Sequence, residues 1–102
     1  MAPPSQVLLN VYNADNELTA YVNGRRVYDR KTEGDPKLND HVNLVPFLRP
    51  GSNTLTLVGI NWSGPSAFNC ALTIGSQMAL HGESHPDPGN GIVWERMIII
   101  GY

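Results

Sequence analysis

The sequence predicts an all-β fold, two antiparallel sheets packed as a sandwich in one domain spanning residues 1–102. Three observations carry this prediction. No segment sustains an apolar period of 3.6, several alternate apolar and polar residues with a period of two, and turn residues recur about every 8 to 12 positions. With 102 residues there is room for one core, and 41% hydrophobic residues with two Trp, four Tyr and two Phe suffice to fill it.

The first strand is expected over 6–12 (QVLLNVY), with Val7, Leu9 and Val11 on one face, and the Asn-Ala-Asp-Asn cluster at 13–16 is expected to end it. Leu18, Ala20 and Val22 then alternate with Thr19 and Tyr21 up to Asn23-Gly24, and a second run follows from Arg25 to Arg30. Asn-Gly between two such runs marks a hairpin, because a type I′ turn needs positive φ at both central residues.

Residues 31–40 (KTEGDPKLND) are polar and contain Gly34 and Pro36, so they read as a loop that crosses between sheets. A short strand is expected over 41–47, with Pro46 confining it to an edge or placing the proline at a strand end. Arg49-Pro50-Gly51-Ser52 fits a type II turn. The longest strand is expected at 53–62, where the apolar phase switches near Gly59, a sign of a bulge or of burial on both faces. After Ser-Gly-Pro-Ser, Phe68, Cys70, Leu72 and Ile74 alternate with Asn69, Ala71 and Thr73 as a half-buried antiparallel strand should. Met78 and Leu80 continue into a seventh strand, and 92–100 makes the last. Seven or eight short strands on a chain of this length suit a Greek-key or jelly-roll sandwich.

Composition excludes several function classes. The net charge is −2, and the basic residues cluster no further than Arg25-Arg26 and Arg30-Lys31, far short of a nucleic-acid footprint. No apolar run approaches the ~20 residues of a membrane span. Met-Ala-Pro-Pro-Ser-Gln offers neither a basic nor an apolar leader region, so the expectation is a soluble chain with no visible secretory signal, cytoplasmic or, equally compatible with this segment, processed or exported by a non-classical route. Cys70 is alone, which leaves no intramolecular disulfide and makes it a small buried apolar residue. There is no Gly-x-Ser-x-Gly elbow and no phosphate-cradling loop, and the carboxylates Glu33 and Asp35 serve to solvate a loop. No enzymatic activity and no cofactor are expected.

Two segments carry a resemblance. "LTAYVNGRRVYDR" and "VPFLRPGSNTLTLVGINW" resemble the galactose-binding-domain-like jelly rolls attached to many glycoside hydrolases, over about residues 17–62. The shared features are a strand that opens a hairpin at Val-Asn-Gly and a "Leu, basic, Pro-Gly, x, Asn-x-Leu" segment before a long core strand. The resemblance implies a non-enzymatic, lectin-like role, with carbohydrate bound by loops at one end of the sandwich or by a sheet face. The alternative it implies is a structural or protein–protein assembly module without a small-molecule ligand, since other members of that superfamily serve as spacers or assembly modules.

The candidate site is "HGESHPDPGNG", residues 81–91. His81, Glu83 and His85 alternate, and in a strand such positions share a face, so an imidazole, a carboxylate and an imidazole could converge on Zn²⁺ or Fe²⁺ as in a cupin-like metal enzyme. Neighbours two apart on one strand stand ~7 Å apart, however, and no His follows His85 to complete the set. A ligand loop is the stronger functional reading. Glu83, His85, Asp87 and Asn90 supply donors and acceptors, Pro86, Pro88, Gly89 and Gly91 shape the backbone, and Trp94 offers an aromatic face for a sugar ring. A solvated turn is the plain alternative for the loop, as a core plug is for Trp94 and for Trp62.

The final strand raises the question of partners. In "IVWERMIIIGY" apolar residues fill both faces, whereas a half-buried sandwich strand should alternate. A cover is needed, from the N-terminal segment, a second subunit or a partner protein; a homo-oligomer is the favoured expectation, and it would also give a weak sugar site avidity.

Overall fold

The computed structural model describes residues 6–31, 38–62, 66–85 and 90–101, with the backbone alone at 15, 66 and 83–85. Eight strands run in chain order as β1 (Val7–Asp15), β2 (Glu17–Val22), β3 (Arg25–Lys31), β4 (Asp40–Asn43), β5 (Ser52–Asn61), β6 (Ser66–Ile74), β7 (Gln77–His85) and β8 (Gly91–Gly101). They form two four-stranded antiparallel sheets, ordered β4-β1-β6-β7 and β3-β2-β5-β8, so the architecture is the two-sheet β-sandwich that the alternation predicts. No helix among the described residues is long and apolar enough to cross a membrane.

Alternation decides which residues face inward. Val7, Leu9 and Val11 of β1 meet Leu18, Ala20 and Val22 of β2, Leu55 and Leu57 of β5, and Phe68, Cys70 and Leu72 of β6 in one buried cluster. Each fully buried leucine there contributes ~1.5–3 kcal/mol relative to exposure. The turns are those the sequence names. Asn23 (φ 51°) and Gly24 (φ 81°) both take positive φ, as a type I′ hairpin demands, and Gly51 (φ 98°) takes the left-handed position of the Pro-Gly turn.

Two boundaries differ from expectation. Strand β1 continues through the Asn-Ala-Asp cluster to Asp15, because a register shift between Val11 and Asn13 re-phases it and returns Ala14 to the core. Strand β4 stops at Asn43, and Pro46 sits inside a 3₁₀ turn over Val45–Phe47, where the missing N–H costs nothing. Strand β5 keeps one inward parity through Gly59, with Asn53, Leu55, Leu57, Gly59 and Asn61 all buried, and Val58 is buried on the other face, so the apolar shift marks cover on both faces; the nearby bulge belongs to β8, where Gly59 opposes Trp94 and Ile60 opposes Ile92, leaving Val93 as the extra residue.

Asn53 ties one end of the sandwich together. Its buried side-chain amide donates to the carbonyls of Arg49 (2.8 Å) and Ile100 (3.1 Å), while Oδ1 accepts from the Arg49 N–H (2.9 Å) and the Asn23 amide (2.9 Å). One asparagine thus links the hairpin, the Pro-Gly turn and β8. With its hydrogen-bonding groups satisfied in this way, a polar residue can stand in the core.

Candidate functional site

The opposite end carries the loops. There β1 passes into β2 at Asn16, β3 runs out toward residues 32–37, β5 ends at Asn61, and β7 passes into β8 through residues 86–90. Asn16 holds this end in place, donating its backbone N–H to the Ile60 carbonyl (3.2 Å) and accepting the Trp62 N–H on Oδ1 (2.8 Å). Asn61 opposes Gly91 in the last pair of the β5–β8 ladder, so Trp62 and Asn90 are the next residues on either side of it. Trp62 is 39% exposed, and Asn90 is exposed beside Gly91, which takes φ 98°.

The two tryptophans differ in exposure. Trp94, expected to stack on a sugar, is 4% exposed, and its ring lies parallel to that of Phe68 with centroids 5.8 Å apart and planes 3° apart. Gly59, directly across the sheet, makes room for this pair, since a Cβ there would stand 2.8 Å from the Phe68 ring. Trp94 is therefore a core residue, and its buried Nε1 has no hydrogen-bond partner in the structure. A signal existed in the sequence: Trp94 shares parity with Ile98 and Ile100, which also face inward. Trp62, which the sequence reads as a strand-end plug, is 39% exposed and so is the tryptophan that solvent reaches.

The remaining expected site residues divide as follows. Glu83 and His85 lie on β7, where their backbones oppose Phe68 and Ser66; their side chains are outside the described residues, as is the whole of Asp87. His81 opposes Cys70 and therefore points between the sheets, into a cleft of about 240 Å³ that it lines with Leu72, Ile74, Gln77, Ala79 and Ile98. Burial pushes the Cys70 thiol up to about 12, which keeps it protonated and unsuited to nucleophilic work at neutral pH.

No family model matches this chain, and neither a curated protein nor a solved structure does. Nothing in these comparisons bears on the resemblance expected over residues 17–62. In the structure those that carry it bend turns or pack the core: Asn23, Gly24, Asn53, Leu55 and Leu57.

A second exposed polar group lies on the outer face of the β4-β1-β6-β7 sheet. His41 Nδ1 donates to Asn10 Oδ1 (2.9 Å), and the Asn10 amide donates to the Tyr12 hydroxyl (3.2 Å). Asn10 is thereby held between an imidazole and a phenol, both accessible to solvent.

Proposed function

We propose that this domain binds carbohydrate without performing chemistry on it, at the loop-bearing end. Trp62 supplies the ring face, and Asn90 supplies amide hydrogen bonds, with Glu83, His85 and Asp87 of the adjoining segment as further polar partners. The observation that carries this reading is the exposure of Trp62, which follows Asn61 just past the last β5–β8 pair as Asn90 precedes Gly91, with Asn16 accepting the Trp62 N–H. Sugar recognition needs an aromatic plane for the apolar ring face and planar polar groups for vicinal hydroxyls. Such a site requires no cofactor.

A glycan array on the purified full chain tests the reading, followed by titration of any hit against wild type and Trp62→Ala. The expected outcome is a hit that loses about tenfold in affinity, ~1.4 kcal/mol, without Trp62. An array silent across neutral and acidic glycans, with the protein shown to be folded, contradicts it. A hit unchanged in Trp62→Ala and lost in Tyr12→Ala moves the site to the sheet face.

A second reading, an assembly module, is favoured by the exposed Met97 and Ile99 of β8.

A further inference from the structure

We propose that the cleft between β7 and β8 binds a small amphipathic anion, a carboxylate carried on an apolar chain, with the chain in the cleft and the carboxylate on Arg96. This site is independent of the carbohydrate reading, which concerns the loop-bearing end of the sandwich.

The cleft is a gap between two core-facing rows. Gln77, Ala79 and His81 oppose Ile74, Leu72 and Cys70 and so share their inward direction, yet Gln77 and Ala79 are exposed and His81 is half-buried. From the other sheet Ile98, which opposes the buried Leu55, also lines the cleft. Ala79 is short, so the row on β7 does not fill the space above Leu72 and Ile74, and a volume of about 240 Å³ remains. An apolar cavity of ~150 Å³ holds one benzene ring, so this cleft takes a ring or a chain of several carbons. Its apolar walls by themselves suit many groups and select none.

Arg96 makes the selection. It stands two residues before Ile98 and opposes the fully buried Leu57, so it leaves β8 on the inward face, next to a wall of the cleft. An inward cation needs a carboxylate or water to balance it. Arg96 is exposed, and among the described residues no carboxylate lies within ion-pair distance of it; the two ion pairs found there engage Arg26 and Arg30. Its neighbour Glu95 opposes Val58 and so points to the outer face.

Chain direction sets the orientation of the ligand. Strand β7 runs toward the loop-bearing end and β8 runs away from it, so His81 and Arg96 both lie on the loop side of the cleft, with Gln77 and Ile98 farther from the loops. The carboxylate belongs on that side, where the planar guanidinium offers two parallel N–H donors and the His81 ring can add a third. The chain then runs over Ala79 and Leu72 toward Ile74 and Ile98. A neutral ligand with the same chain leaves the guanidinium unmatched, and an anion without the chain buries no apolar surface.

Isothermal titration calorimetry of the full chain with octanoate, octanol and acetate tests the site. Octanoate should bind saturably, octanol about tenfold or more weakly because it loses the charged hydrogen bonds, and acetate not measurably. Arg96→Gln should bring octanoate down to the octanol level and leave octanol unchanged. Ala79→Leu, which fills the cleft, should weaken both ligands about tenfold or more. Should either variant fail to fold, the ranking of the three ligands on wild type decides. No saturable octanoate binding, octanol bound as tightly as octanoate, or octanoate binding unchanged in Arg96→Gln or in Ala79→Leu overturns the proposal. An Arg96 that serves only to guard the edge against strand pairing would give octanol and octanoate the same affinity. None of these outcomes bears on the glycan array, which reads Trp62.

Discussion

The two long sides of this sandwich are built differently. On the β3/β4 side the chain closes itself. The Tyr28 hydroxyl on β3 donates to Asp40 on β4 (2.7 Å), Arg30 stands 3.9 Å from the same carboxylate, and the Arg25 guanidinium lies 5.5 Å from the Phe47 ring centre. Beneath these contacts Leu44 is fully buried and Leu38 nearly so. On the β7/β8 side there is no equivalent among the described residues: inward residues meet water and a cleft separates the sheets. The difference teaches that a sandwich edge must be closed by something. One side uses a hydrogen-bonded latch over buried leucines, and the other leaves Met97 and Ile99 exposed.

The contrast can be broken most forcefully in the packing. Leu44→Ala on the closed side should cost ~2–5 kcal/mol in urea unfolding, whereas Ile98→Ala, half-buried beside the cleft, should cost about 1 kcal/mol. Equal costs would mean that the two sides are closed alike.

The latch predicts a smaller effect with a distinctive pH dependence. Tyr28→Phe should cost about 1 kcal/mol near neutral pH by removing the bond to Asp40, discounted because Asp40 is partly solvated. Burial first, and then the hydrogen bond to Asp40, hold the Tyr28 hydroxyl far above the usual phenol range. An unfolded tyrosine ionises near pH ~10 while the folded one stays protonated, so the latch contributes fully below that pH and its contribution falls as pH rises above it. Wild type should therefore lose stability above pH ~10 more steeply than Tyr28→Phe, and parallel profiles would show that Tyr28 is not held as described.

Much of this fold is legible in the sequence, because its turns need particular chemistry. Asn23-Gly24 and Pro50-Gly51 announce backbone angles that few other residues accept, and the structure takes them there. The apolar shift near Gly59 announces burial on both faces, since Leu57, Val58 and Gly59 are all buried, while the bulge lies on the paired strand β8, where alternation along β5 cannot report it. The site is less legible for a physical reason. Whether an aromatic residue is buried depends on what lies across the sheet and between the sheets: parity with Ile98 and Ile100 gives Trp94 its inward direction, but it reports neither Gly59 opposite it nor Phe68 stacked on it. Likewise Met78 and Leu80 look like core residues by hydrophobicity, but the register with Thr73 and Ala71 turns them outward, and Leu80 is 75% exposed. The excess of apolar residues in the final strand is visible in the sequence, and the structure locates it on an unpaired edge.

Amide hydrogen exchange, followed strand by strand in dilute solution, measures the asymmetry directly. Amides on the free edge of β8, over 95–101, should exchange faster than the edge amides of β3 and β4. Protection in β8 as high as in β3 and β4 would contradict the account, since the β7/β8 side would then be closed by the chain itself.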